Sequence, residues 1–96
     1  MGEIHDELGK ALARLGRDED ALGEFAQAVQ LNPALAEAHL NYGVALARSR
    51  RYPEAAAEFR ETLRLRPGDS NAERMLEQAA RAAQESTDRY QQRNRR

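Results

Sequence analysis

The sequence predicts an all-α fold: antiparallel helical hairpins stacked side by side into a short α-solenoid of five helices. Three observations carry this. The chain matches itself at a shift of 34 residues, apolar residues recur at helical spacing inside each copy, and the composition is rich in Ala, Leu, Glu, Arg and Gln with only 5% aromatic residues. The three prolines stand between the periodic stretches, where a missing N–H does no harm to a helix interior.

The self-match is long. Glu3 pairs with Glu37, His5 with His39, Gly9 with Gly43, and Ala11-Leu12-Ala13-Arg14 with Ala45-Leu46-Ala47-Arg48. Beyond these, Arg17 meets Arg51, Ala21 meets Ala55, Glu24-Phe25 meets Glu58-Phe59, Leu31 meets Leu65 and Pro33 meets Pro67. Composition does not produce agreement at one period that includes helix-unfriendly Gly and Pro, so the chain divides into repeats over 2–35 and 36–69.

Each element then follows in order. Ile4, Leu8, Ala11, Leu12 and Leu15 form the apolar stripe of the first helix, and Gly16 tolerates the left-handed conformation that stops it. Asp18 is the expected N-cap of a second helix carrying Ala21, Leu22, Phe25, Ala28, Val29 and Leu31, ended by Pro33. Ala38, Tyr42, Ala45 and Leu46 make the third stripe, Arg50-Arg51-Tyr52 the turn, and Pro53 opens the fourth helix with Ala55, Phe59, Leu63 and Leu65 buried. Ser70 and Glu73 have the spacing of a capping box for a fifth helix over 70–92, whose inner face is Ala72, Met75, Leu76, Ala79, Ala80 and Ala83. A frayed basic tail is expected over 93–96. The whole chain, 1–96, reads as a single domain.

Within each hairpin the pattern has a mechanical meaning. Gly9 with Ala21, and Gly43 with Ala55, lack bulk, so paired helices can approach closely while the rings of Phe25 and Phe59 fill the seam.

Both units resemble the tetratricopeptide repeat. The first shows His5, Leu8-Gly9, Leu12, Ala21, Phe25, Ala28 and Pro33; the second shows His39, Tyr42-Gly43, Leu46, Ala55, Phe59, Thr62 and Pro67. Departures are His for the usual Trp, Leu for Tyr, and Thr62 where a small Ala is usual. The resemblance implies a right-handed superhelix and a concave groove lined by the first helix of each hairpin. The fifth helix resembles the start of a third unit, but Arg89 and Arg93 stand where its second helix would need Ala and Phe, so it is read as the closing cap. The register begins at Gly2, which fits a segment of a longer repeat protein or an open end covered by a partner.

Composition excludes several functions. With no cysteine there is no disulfide framework, thiolate metal site or Cys nucleophile, and a reducing, cytoplasmic setting is the expectation. No apolar run is long enough to span a bilayer, and the acidic start Glu3-Ile4-His5-Asp6 is unlike a signal peptide. Fifteen basic against sixteen acidic residues give no global field toward nucleic acid or membrane. Arginine outnumbers lysine fourteen to one, a bias in keeping with a bacterial source. The two histidines occupy equivalent places and read as packing residues, with no ligand cluster at i, i+3 or i, i+4 around them. No nucleophile with a base, no phosphate loop and no placed carboxylate pair is apparent, so neither catalysis nor a cofactor is expected.

The expected role is a scaffold that holds a partner protein or peptide in the groove. Its candidate residues are Lys10 and Arg14 on the first helix; Glu37, Leu40, Asn41, Val44 and Arg48 on the third; and Arg74, Met75 and Gln78 on the fifth. Glu3, Asp6, Glu7, Asn71 and Arg81 also count as outward-facing. Leu40, Val44 and Met75 stand out as apolar side chains that the hairpin seams do not need. Relatives that clamp a carboxylate terminus use basic groups at places where this chain has Asp6 and Met75, so that ligand is disfavoured. Two rival readings remain. One is a homo-oligomer formed through the first-helix face or the fifth helix, since two repeats and a cap make a thin core. The other is nucleic-acid contact by Arg89 to Arg96 with Tyr90 as a stacking platform, the weaker of the two. Charge is uneven, with seven acids and three bases up to Pro33 against four acids and six bases from Ser70 onward.

Overall fold

The computed structural model describes residues 2–94. They form α1 (Gly2–Arg14), α2 (Asp18–Leu31), α3 (Ala36–Arg48), α4 (Tyr52–Leu65) and α5 (Ser70–Arg93), with no strand among the described residues. α1 packs on α2, α3 on α4 and α4 on α5, while α2 against α3 joins the two hairpins. The result is an elongated stack with principal extents of 51 × 30 × 20 Å. The last residues of the expected basic tail, Arg95 and Arg96, lie outside the described residues; α5 itself continues through Arg93, with Asn94 as its C-cap.

Glycine and phenylalanine set the hairpin seams. A Cβ on Gly43 would sit 2.6 Å from Cε1 of Phe59, and one on Gly9 would sit 2.6 Å from Cε1 of Phe25. Only hydrogen fits beneath each ring, so the helix axes come close and both phenylalanines are buried. Thr62, in a place where the repeat pattern prefers Ala, is fully buried as well. Its hydroxyl donates to the Glu58 carbonyl at 2.9 Å, which removes the cost of a buried polar atom.

The histidines do more than pack. Nδ1 of His39 lies 2.7 Å from Glu58 Oε1 and Nε2 lies 2.8 Å from the carbonyl of Pro33, so one ring ties the third helix to the fourth and to the preceding loop. His5 repeats the first contact with Glu24 at 2.7 Å. The sequence contained the signal, because both His–Glu pairs are separated by 19 residues.

Two expected caps are corrected. Asp18 is the first residue of α2, preceded by Arg17 with no side-chain cap; its carboxylate acts as first-turn charge against the helix dipole. For α5 the cap is Asp69, whose Oδ1 accepts from the Ala72 amide at 3.1 Å, one residue ahead of Ser70. Tyr52 belongs to the first turn of α4 rather than to the connecting turn. The two hairpin turns are otherwise alike. The amides of Gly16 and Arg17 bond the carbonyls of Ala13 and Leu12, and those of Arg50 and Arg51 bond Ala47 and Leu46, closing α1 and α3 with the same left-handed motif.

The predicted stripe of α1 is also corrected. Leu12 is partly buried against the core, but Ile4, Leu8, Ala11 and Leu15 are exposed, and the buried residues of α1 are Gly2, Asp6 and Gly9. At the equivalent places of α3, Ala38 and Ala45 are buried, because α2 and α1 lie against that side. α1 has no such neighbour. Leu31 of α2 is exposed too, and Ala80 of α5 faces solvent.

Candidate functional site

The first helices of the hairpins and α5 stand in a row, with α3 touching both α1 and α5. Two adjoining clefts open along this row. One, about 210 Å³, lies between α1, α2 and α3, with Lys10, Arg14 and Asn41 on its walls and Phe25 in its floor. The other, about 400 Å³, lies between α3, α4 and α5, with Tyr52, Met75 and Gln78 around a floor of Phe59 and Ala79. Val44 and Arg48 line both, so the two clefts share a wall on α3.

Seven of the ten candidate residues therefore come together: Lys10, Arg14, Asn41, Val44, Arg48, Met75 and Gln78. Leu40 lines neither cleft; it is partly buried against the core, as Val44 and Met75 are in part. Arg74 is exposed outside both and donates to Asn71 Oδ1 at 2.6 Å. Glu37 accepts from Lys10 Nζ at 3.2 Å, and Lys10 also pairs with Glu7 at 2.8 Å. Those carboxylates hold the Lys10 ammonium above its ordinary pKa, the hydrogen bond it donates to Glu7 contributing most.

Asp6 is the main departure. Expected to face outward, it is 2% exposed and accepts a hydrogen bond from Asn41 Nδ2 at 3.0 Å. Burial pushes its carboxyl above the ordinary aspartate value, with the Asn41 hydrogen bond opposing that rise and the nearby Glu37 charge adding to it. The amide of Asn41 is thereby engaged between α1 and α3. The side chains with the most freedom at the cleft are Arg14, exposed and without an ion pair among the described residues, and Arg48, whose partner Asp18 is 3.5 Å away.

Tyr52 is the lining residue that sequence reasoning missed. A place in the turn hid it, whereas it stands in the first turn of α4 and lines the larger cleft together with Ala47 and Ala82. At the far end of α5, Tyr90 is exposed beside Arg89 and Arg93, and the acidic Glu85 and Asp88 share the same exposed segment. Among the described residues no group of three or more His, Asp or Glu side chains converges to hold a metal ion, and no helix is long and apolar enough to cross a membrane.

The family model of the tetratricopeptide repeat matches residues 7–70, more than half of the chain. The chain belongs to the tetratricopeptide repeat family. No curated protein matches it. Tetratricopeptide repeats are in general protein–protein interaction modules and typically non-catalytic. The matched stretch runs from the middle of α1 to the first residue of α5, so it takes in the glycine–phenylalanine seams of both hairpins. In this tetratricopeptide repeat chain both clefts are floored by those same rings. The residues that make the hairpins also shape the groove.

Proposed function

We propose that the groove across α1, α3 and α5 holds an extended segment of a partner protein, one that presents an apolar side chain next to an acidic one. The observation that carries this is the shared wall: Val44 and Arg48 border both clefts, so an apolar floor lies on either side of one guanidinium whose ion pair among the described residues is a long one. An apolar side chain would displace water from the Phe59 and Ala79 floor, and a carboxylate would meet Arg48 with charge-assisted hydrogen bonds. Arg14 adds a second cation to the α1 end. Because the groove is formed by packed helices, little ordering is required on this side of the complex.

Selection of a random-peptide library on the intact chain tests the reading. The expected enrichment is for segments that combine an acid with a large apolar residue, and Arg48→Glu should remove the preference for the acid while Val44→Asp removes capture. Helicity and melting stay unchanged in Arg48→Glu, whose side chain is exposed; Val44 packs in part against the core, so Val44→Asp is read together with its denaturation midpoint, and capture lost while the fold is retained is the expected result. No enrichment, or the same enriched segments on Arg48→Glu, sinks the proposal.

A further inference from the structure

The exposed stripe on α1 has a form that its sister helices explain. Shifting by one repeat places Ile4, Leu8, Ala11 and Leu15 on Ala38, Tyr42, Ala45 and Ser49, and shifting again places them on Ala72, Leu76, Ala79 and Ala83. In α3 and α5 this side is covered: Ala38, Ala45, Ala72 and Ala79 are buried and the others partly so. In α1 and Leu15, which follows its last residue, the same side carries larger apolar residues and is open, with Ile4 67%, Leu8 47% and Leu15 73% exposed. The opposite end of the stack has no comparable face. There Glu73, Glu77 and Gln84 are exposed on α5, and Glu77 occupies the place of Gly9 and Gly43, so a further helix could not nest as α2 and α4 do.

Two properties of the stripe select its occupant. Its spacing of four, three and four residues reads the same in both directions along the helix. A second α1 laid antiparallel about the middle therefore sets Ile4 against Leu15 and Leu8 against Ala11, each twice, as in an antiparallel coiled-coil seam. The flank has matching chemistry. Glu7 and Arg14 lie on one side of the stripe, and a two-fold axis normal to the helix pair brings each flank against its own copy. Glu7 of one chain then comes within about 3 Å, along the axis, of level with Arg14 of the other, within reach of both side chains. Arg14 has no ion pair among the described residues, and Glu7, which pairs with Lys10 at 2.8 Å through one oxygen, keeps its side chain 70% exposed and open to a second cation. The other acids of the first hairpin do not oppose the approach in full, because Asp18 and Asp20 already pair with Arg48 and Arg17.

We infer that the open face of α1 is an isologous interface for a second copy of this chain, packed antiparallel through Ile4, Leu8, Ala11 and Leu15 and keyed by reciprocal Glu7–Arg14 pairs. A single short helix from each side makes a small interface, so the dimer is a weak one that forms as concentration rises. A parallel pairing would set the Glu7 flank against His5 and Leu12 and forgo the ion pairs, and a head-to-tail contact would press the stripe on the charged side of α5.

Sedimentation equilibrium on the full chain over a wide concentration range tests this. The expected result is a weight-average mass that climbs from one copy and levels at two. Leu8→Glu should remain a monomer throughout, with its circular dichroism unchanged because the residue touches no core. Glu7→Arg should weaken dimerisation by about tenfold, two ion pairs having been turned to repulsion, and Glu7→Arg with Arg14→Glu should restore it. A monomer at every concentration overturns the inference and leaves the face to a helix of another kind. Growth beyond two copies, association indifferent to Leu8→Glu, or a double swap that fails to restore the dimer overturns it too.

Discussion

Asn41 on α3 donates a hydrogen bond of 3.0 Å to Asp6 on α1, joining the two repeats through a carboxylate that solvent hardly reaches. The carboxyl is raised above its ordinary value, chiefly by burial. A raised acid pKa in the folded state means the native chain holds the proton more tightly than the unfolded chain does. Its contribution to stability is therefore full at pH below the unfolded-chain value and is lost as pH rises through the folded value. Relative to Asp6→Asn, which keeps an acceptor for Asn41 and has no charge to bury, wild-type stability should decline across that interval. Urea denaturation at stepped pH checks the sign, and a wild type that gains on the variant as pH rises would refute it. Asp6→Ala, which strands the Asn41 amide, should cost about 1–3 kcal/mol.

Glycines in this chain should separate by what lies over them. Gly43→Ala drives a methyl to within 2.6 Å of the Phe59 ring and should cost about 1–3 kcal/mol, through overpacking. Gly23, in α2, has nothing within 4 Å of the place a methyl would take, so Gly23→Ala should stabilise by about 0.4–1 kcal/mol, by reducing the freedom of the unfolded chain. Denaturation midpoints moving in opposite directions are the expected readout.

Arg50 adopts φ 63°, while its counterpart one repeat earlier, Gly16, adopts φ 77°. Both hold the left-handed position of the same helix-closing motif, where a Cβ is crowded. Arg50→Gly should raise stability by roughly 0.5–1 kcal/mol. Gly16→Ala should lower it by about 1 kcal/mol, and equal effects of both substitutions would contradict the account.

The start of α5 offers a paired test. Asp69→Ala removes the side chain that accepts from the Ala72 amide and should cost about 1 kcal/mol. Ser70→Ala, one residue further in, should stay within about 0.5 kcal/mol of wild type. Reversal of that order would return the cap to Ser70.

Legibility followed the range of the interactions. The five helices and the glycine–phenylalanine seams could be read in the sequence from helical spacing and the repeat period, and the gathering of Arg14, Val44, Arg48, Met75 and Gln78 along one groove was implied by the resemblance to the tetratricopeptide repeat. Tyr52 escaped because a boundary shift of one residue moved it from turn to helix. Asp6 escaped because an aspartate on a polar face gives no local sign that Asn41, 35 residues away, will cover it.

By itself the sequence determined a 34-residue period, and with it which side chains point the same way on successive helices, since a helix translates spacing into direction without outside help. Only the tertiary structure decided which of those directions meet another helix. Ile4 and Ala38 occupy the same place in their repeats, yet one is exposed and the other buried, because burial is a property of the neighbour: α2 lies on that side of α3, and no described helix lies on that side of α1.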